Sequence, residues 1–201
     1  MLKIILALTA SLFFTFTAYA ENLIAGDENK ESVYMFTYLS PGSHAMVNSA
    51  NAWDFMVSKN NLHDDAKLYR MPFIEEVGHS TEYAAKAYFI LRQLVANRAV
   101  DHFSLEPKLY SLFKTTVVDD ETLNNFFIVN VDGLSTPEVE RLNSASGIYI
   151  KHAVEMQKSF RCEKLPCARV SNEGKVYIIT LDYTNKDPLT EFWENVSLIL
   201  L

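Results

Sequence analysis

The N-terminal third of the chain carries a strand pattern, a helix pattern and a second strand pattern in direct succession. Residues 33–39 are almost continuously apolar and rich in β-branched and aromatic side chains, which is typical of a strand buried on both faces. Ser40 and the following proline predict a helix start, and we expect this helix over residues 41–59 and a second strand over 66–73. Two strands joined through a helix usually pair in parallel. The sequence therefore predicts an α/β fold.

The middle of the chain changes to a helical pattern, and the end returns to strands. We expect helices over residues 80–97, 105–116 and 119–133, a short one from Ser135, and a last one over 145–158. Two short strands over 167–170 and 175–181 follow, separated by a turn at 172–174, and Asp187-Pro188 begins a closing amphipathic helix. The predicted order is β-α-β, a helical block, then β-β-α.

The first twenty residues have the pattern of a cleavable signal peptide. Lys3 precedes an uncharged apolar run over residues 4–17, and Ala18-Tyr19-Ala20 matches the small-x-small site that a signal peptidase recognises. The run is shorter than the roughly 20 residues that a membrane span needs. We therefore expect export, a mature chain over 21–201, and no stable membrane insertion after cleavage.

Charge and metal-ligand spacing exclude several classes of function. The net charge is −7 and no basic run exists, which argues against nucleic acid as a partner. The five histidines are scattered, without the spacing of a His-x-x-x-His or Cys-x-x-Cys motif. We therefore expect no metal site and no cofactor.

Two motifs carry a resemblance to a known family. Residues 36–44 read Phe-Thr-Tyr-Leu-Ser-Pro-Gly-Ser-His, and Leu165-Pro166-Cys167 is followed by Asn-Glu-Gly-Lys at 172–175. The first resembles the strand that runs into the Cys-Pro-His-Cys helix start of the DsbA-type thiol–disulfide oxidoreductases of the bacterial periplasm. The second resembles the cis-proline loop, next strand and hairpin turn of that family, and residues 119–160 are similar to the second half of its helical insertion.

The resemblance implies a thioredoxin-like fold with an inserted all-helical domain. The thioredoxin-like parts would cover about residues 31–75 and 159–201, and the insertion about 78–158. Pro166 would be cis after Leu165, and this loop would form one wall of a peptide groove. A periplasmic location is implied as well.

The departure from the family lies at its redox motif. Ser40-Pro41-Gly42-Ser43 stands where the family has two cysteines, and Met35 lies near the position of a buried acidic residue. A thiolate at a helix N-terminus is stabilised by the helix dipole, whereas a serine hydroxyl cannot alternate between thiol and disulfide. We therefore expect this site to be redox-inactive.

The remaining reactive residues allow several interpretations. Cys162 and Cys167 could form a local bridge that holds the Pro166 loop, act as a displaced redox pair, or stay as free thiols. Ser40 or Ser43 with His44 could serve as a nucleophile and base, although no third group and no Gly-x-Ser-x-Gly motif accompany them.

Three functions follow from these patterns. The first is a non-catalytic protein that binds an exported polypeptide or a fixed envelope-complex partner in the groove beside Pro166. The second is an atypical thiol–disulfide interchange enzyme that uses Cys162 and Cys167. The third is a purely structural subunit of an envelope complex.

Overall fold

The structure is a computed structural model that describes residues 31–200 except 41, 61–66, 77, 99 and 161. The predicted signal peptide over 1–20 and Pro41 of the serine motif lie outside the described residues. The elements are β1 (Glu31–Phe36), α1 (Ser43–Asn60), β2 (Lys67–Pro72), α2 (Ser80–Arg98), α3 (His102–Thr115), α4 (Asp120–Asn130), α5 (Thr136–Ser159), β3 (Cys167–Asn172), β4 (Lys175–Thr180) and α6 (Pro188–Leu200).

The four described strands form one mixed sheet in the order β2-β1-β3-β4. β1 pairs in parallel with β2 from Glu31 opposite Lys67 onward, which confirms the strand–helix–strand prediction. β1 and β3 are antiparallel, and β3 and β4 form a hairpin. The hairpin turn has positive φ at both Glu173 (50°) and Gly174 (74°), the pattern of a type I′ turn that matches strand twist.

β1 is buried on both faces, as its sequence predicts. Tyr34 and Phe36 belong to a first apolar cluster that includes α1 and α6 and continues into the helical region. Val33 and Met35 point to the opposite face and belong to a second cluster, built with the C-terminal half of α5. Successive side chains of β1 therefore point alternately into the two clusters on opposite faces of the sheet.

The prediction of two helices between Ser135 and Lys158 is wrong, because α5 is one continuous helix over Thr136–Ser159. The polar and small residues at 143–147 interrupt the apolar pattern without breaking the helix. Asn143 is buried and its side-chain amide donates to Asp120 Oδ1 (3.2 Å) and Asn124 Oδ1 (2.9 Å) of α4. Contacts with a neighbouring helix thus stabilise a segment of weak helix propensity.

α3 begins at His102, before the predicted start at residue 105. Asp101 caps it, because its Oδ1 accepts a hydrogen bond from Phe103 N at 3.0 Å. Pro107 lies inside the helix rather than at its first turn. The cap residue, not the proline, marks the start of this helix.

The start of α5 predicts a pH-dependent contribution to stability. Hydrogen bonds from the Ser135 hydroxyl and backbone N–H, with Arg98 beside them, lower the pKa of Glu138 from 4.5 to about 2. The ionised carboxylate stabilises the folded chain fully above pH 4.5, and this contribution is lost as the pH falls towards about 2. Urea midpoints measured across that range should fall less steeply for Glu138→Gln than for the wild type.

The matched control is Glu140→Gln, which removes one exposed carboxylate from the same helix. A wild-type slope equal to that of Glu138→Gln and different from that of Glu140→Gln would contradict the assignment.

Candidate functional site

Three chain segments meet at one edge of the sheet, namely the end at which β1 stops and β3 starts. β1 ends at Phe36, and β3 begins at Cys167, which pairs with Met35. The segment that leads to α1 and the loop before β3 therefore leave the sheet from the same edge. The segment after β4 joins them, because Leu181 N donates to Pro166 O at 3.2 Å. The segment before α1 and the Pro166 loop therefore leave the sheet on the same side, while the pairing of Ser40 and Ser43 with Pro166 across a groove stays a prediction.

The two serines lie at the start of α1. Ser40 Oγ donates to Thr37 O at 2.9 Å, and Ser43 N donates to Ser40 O at 3.0 Å, so that a tight turn leads into the helix. Gly42 has a φ of 83°, which a residue without a Cβ adopts readily. Ser43 is 4% exposed and Ser40 is half-buried. Neither hydroxyl provides redox chemistry, and the side chain of His44 lies outside the described part of the structure.

A buried carboxylate interacts with Tyr38, two residues before Ser40, and sequence reasoning missed it. Glu106 of α3 is buried, its Oε2 lies 3.6 Å from His102 Nε2, and its charge acts on Tyr38. Burial raises the pKa of Tyr38 well above its usual value, and Glu106 and then Tyr88 raise it further. Tyr38 therefore stays a neutral phenol. The signal available in the sequence was the position of Glu106 beside Leu105 on the inward face of α3.

An apolar groove lies between α1 and α6. It has a volume of about 630 Å³ and is lined by Ser49, Ala52, Trp53, Leu189, Thr190, Trp193, Glu194, Ser197 and Leu198. Its wall contains both tryptophans of the chain, whose rings stack with centroids 5.3 Å apart.

The polar edges of the two indoles are satisfied inside the protein. Trp53 Nε1 donates to Ser197 Oγ at 2.8 Å, and Trp193 Nε1 donates to Ser49 Oγ at 3.0 Å. Each helix thus supplies the acceptor for the tryptophan of the other. The indole rings are thus held in a largely buried position in the wall of the groove, and the carboxylate of Glu194 is also among the lining residues.

The Pro166 loop carries a disulfide. The peptide bond between Leu165 and Pro166 is cis, and Cys162 and Cys167 are bonded to each other. Cys167 is buried in the second cluster with Met35, on the sheet face opposite α1, and Leu165 packs against the same cluster. The expectation that the chain lacks a redox pair concerned the Cys-x-x-Cys position at the start of α1. It needs correction for the molecule as a whole, because Cys162 and Cys167 form a bonded pair elsewhere.

Two further features of the described residues concern metal ligands and membrane spans. Among them, no group of three His, Cys, Asp or Glu side chains is placed to hold a metal ion. None of the described helices is long and apolar enough to cross a membrane.

Comparison with known proteins shows the fold. No protein-family model and no curated protein matches the sequence. DsbA from Xylella fastidiosa is 16% identical with a TM-score of 0.61, covering 87% of this chain and 86% of that one. Pseudomonas aeruginosa DsbA is 15% identical with a TM-score of 0.62 (86% and 83%). The DsbA disulfide interchange protein from Klebsiella pneumoniae is 16% identical with a TM-score of 0.57 (88% and 90%). The predicted fold class, a DsbA-like thioredoxin fold with a helical insertion, is confirmed.

Proposed function

We propose that this chain is an exported, DsbA-like periplasmic protein that binds polypeptide segments without oxidising them. The observation that carries the proposal is the presence of hydroxyls, and not thiols, at Ser40 and Ser43 where α1 begins. The sequence resemblance aligns these serines with the redox cysteines of the DsbA family. A serine hydroxyl cannot accept the electrons of a client thiol pair. Binding of the client is therefore the property that such a site retains.

The surface that binds the polypeptide comprises the sheet edge at Pro166 and the groove between α1 and α6. Both helices of the groove follow segments that leave this edge, because α1 follows Ser40, and α6 follows the segment whose Leu181 N donates to Pro166 O. An extended chain laid along the groove would place an apolar side chain against its apolar lining, which includes the exposed Leu198 beside the largely buried rings of Trp53 and Trp193. The partner would be an exported polypeptide or a fixed component of an envelope complex.

Tryptophan emission provides a direct test of binding, because both tryptophans of the chain belong to the groove. The titrant is carboxymethylated ribonuclease A, an unfolded polypeptide that has no tryptophan and no free thiol. We expect a saturable change in emission for the wild type. Leu198→Asp should weaken binding at least about tenfold, because it places an unpaired charge in an apolar site.

The matched control is Ile148→Asp, which adds the same charge at an exposed aliphatic residue of α5 in the helical insertion. We expect it to bind like the wild type. An absence of saturable change in the wild type, or equal effects of the two aspartate variants, would overturn the proposal.

One observation favours a second candidate function. Cys162 and Cys167 are bonded, and Cys167 directly follows Pro166, so exchange of this pair with client thiols would make the chain an atypical interchange enzyme. The two functions differ in one measurement, the oxidation of a dithiol peptide by the wild type and by Cys167→Ser. Activity that disappears in the variant would favour the enzyme.

A further inference from the structure

The disulfide joins the end of the helical insertion to the centre of the sheet. Cys162 follows the last turn of α5, and Cys167 is the first residue of β3. Because β3 lies between two strands, Cys167 has Met35 of β1 on one side and Thr180 of β4 on the other. The sulfur of Cys167 thus becomes buried when the strands of the sheet pair.

The two sulfur-bearing residues differ in their access to solvent. Cys167 is 0% exposed, within an apolar cluster that includes Met35, Met71 and Ile150. Cys162 is only partly buried against the same cluster. A thiolate in solution therefore reaches the bridge only from the side of Cys162.

Thiol–disulfide exchange in the folded protein is disfavoured at both sulfurs of the bridge. Attack on the sulfur of Cys167 is blocked by the neighbouring strands and the cluster. Attack on the sulfur of Cys162 would expel Cys167 as a thiolate into apolar surroundings, where burial disfavours the charged form. The same surroundings would keep the Cys167 thiol from reacting with an incoming disulfide after folding.

We propose that the Cys162–Cys167 bridge is formed before the sheet closes, by exchange with a disulfide donor, and that the fold then shields it. In the first step the Cys162 thiolate attacks the donor disulfide, which gives a mixed disulfide and releases one donor thiolate. In the second step the Cys167 thiolate attacks the Cys162 sulfur and releases the other donor thiolate. Two electrons pass to the donor, which leaves as a dithiol, and the two protons of the cysteines are exchanged through water.

The deciding experiment measures reduction of the bridge in the full mature protein. Dithiothreitol is added in native buffer and in concentrated urea, and free thiols are counted by a maleimide gel shift. We expect reduction to be at least about tenfold slower in native buffer, because the fold covers the sulfur of Cys167 and disfavours its release as a thiolate. Oxidised glutathione, treated in the same two solvents, corrects for the effect of urea on the reagent.

Single-cysteine variants test the difference in access. In native buffer the remaining thiol of Cys162→Ser should react with iodoacetamide at least about tenfold more slowly than that of Cys167→Ser. In urea the two rates should become equal. Circular dichroism verifies that each variant is folded, and where a variant does not fold, the wild-type reduction decides alone. A corrected native rate within tenfold of the urea rate would overturn the proposal.

Discussion

Replacing Trp193 by alanine is expected to lower the free energy of unfolding by about 3–5 kcal/mol, the range typical of truncating a large buried aromatic side chain. Trp193 is 6% exposed and its ring contacts those of Trp53, Tyr34 and Phe192 at centroid distances of 5.3, 5.1 and 4.9 Å. The variant also leaves Ser49 Oγ without its indole donor. Because a domain of this size is stable by only about 5–15 kcal/mol, the loss brings it close to unfolding.

Urea unfolding followed by circular dichroism measures this loss, because the signal does not depend on the tryptophan that is removed. The control is Leu198→Ala on the same helix, whose side chain is 68% exposed, and whose effect should stay within about 0.5 kcal/mol. Equal midpoints and slopes for Trp193→Ala and Leu198→Ala would show that the stacked tryptophans do not contribute as their burial indicates.

The Trp53→Phe variant separates ring packing from the hydrogen bond. It keeps an aromatic ring against Trp193 but removes the N–H that Ser197 Oγ accepts, and its effect should therefore be smaller than that of Trp193→Ala.

Local patterns predicted the elements of this fold, because each depends on residues close in sequence. The doubly apolar run at 33–39 predicted a strand that lies over Glu31–Phe36, and the helix expected from residue 41 begins at Ser43. The resemblance at residues 36–44 and 165–167 added the insertion and the meeting of two loops at one sheet edge. The strands and helices follow from short periodicities, cap residues and turn residues, whereas the insertion and the meeting of the loops were implied by the resemblance alone.

Contacts between distant segments were not predictable in the same way. The continuity of α5 depends on Asn143 finding partners on α4, and no nearby residue announces that contact. The stacking of Trp53 on Trp193 depends on how α1 packs against α6. The bond between Cys162 and Cys167 remained one of several alternatives, because the sequence does not state which sheet face Cys167 occupies.

Introducing thiols at the start of α1 should have the largest effect on chemistry. We expect the double variant Ser40→Cys/Ser43→Cys to reduce insulin at least about tenfold faster than the wild type, because a thiolate at a helix N-terminus has a lowered pKa. Ser40 is half-buried and Ser43 is 4% exposed, so the first position would meet the client and the second would resolve the mixed disulfide. The turnover of insulin by the wild type, the double variant and each single variant measures this gain.

The single variants isolate the role of the pair. Ser40→Cys alone should form a mixed disulfide with a client and then stop, since Ser43 supplies no second thiol to release it. Adding Cys162→Ser and Cys167→Ser to the double variant should leave its turnover intact, because the natural bridge lies on the opposite face of the sheet from α1. If the wild type already turned over insulin and Cys167→Ser abolished that activity, the natural pair would be the redox centre and the serines only a helix cap.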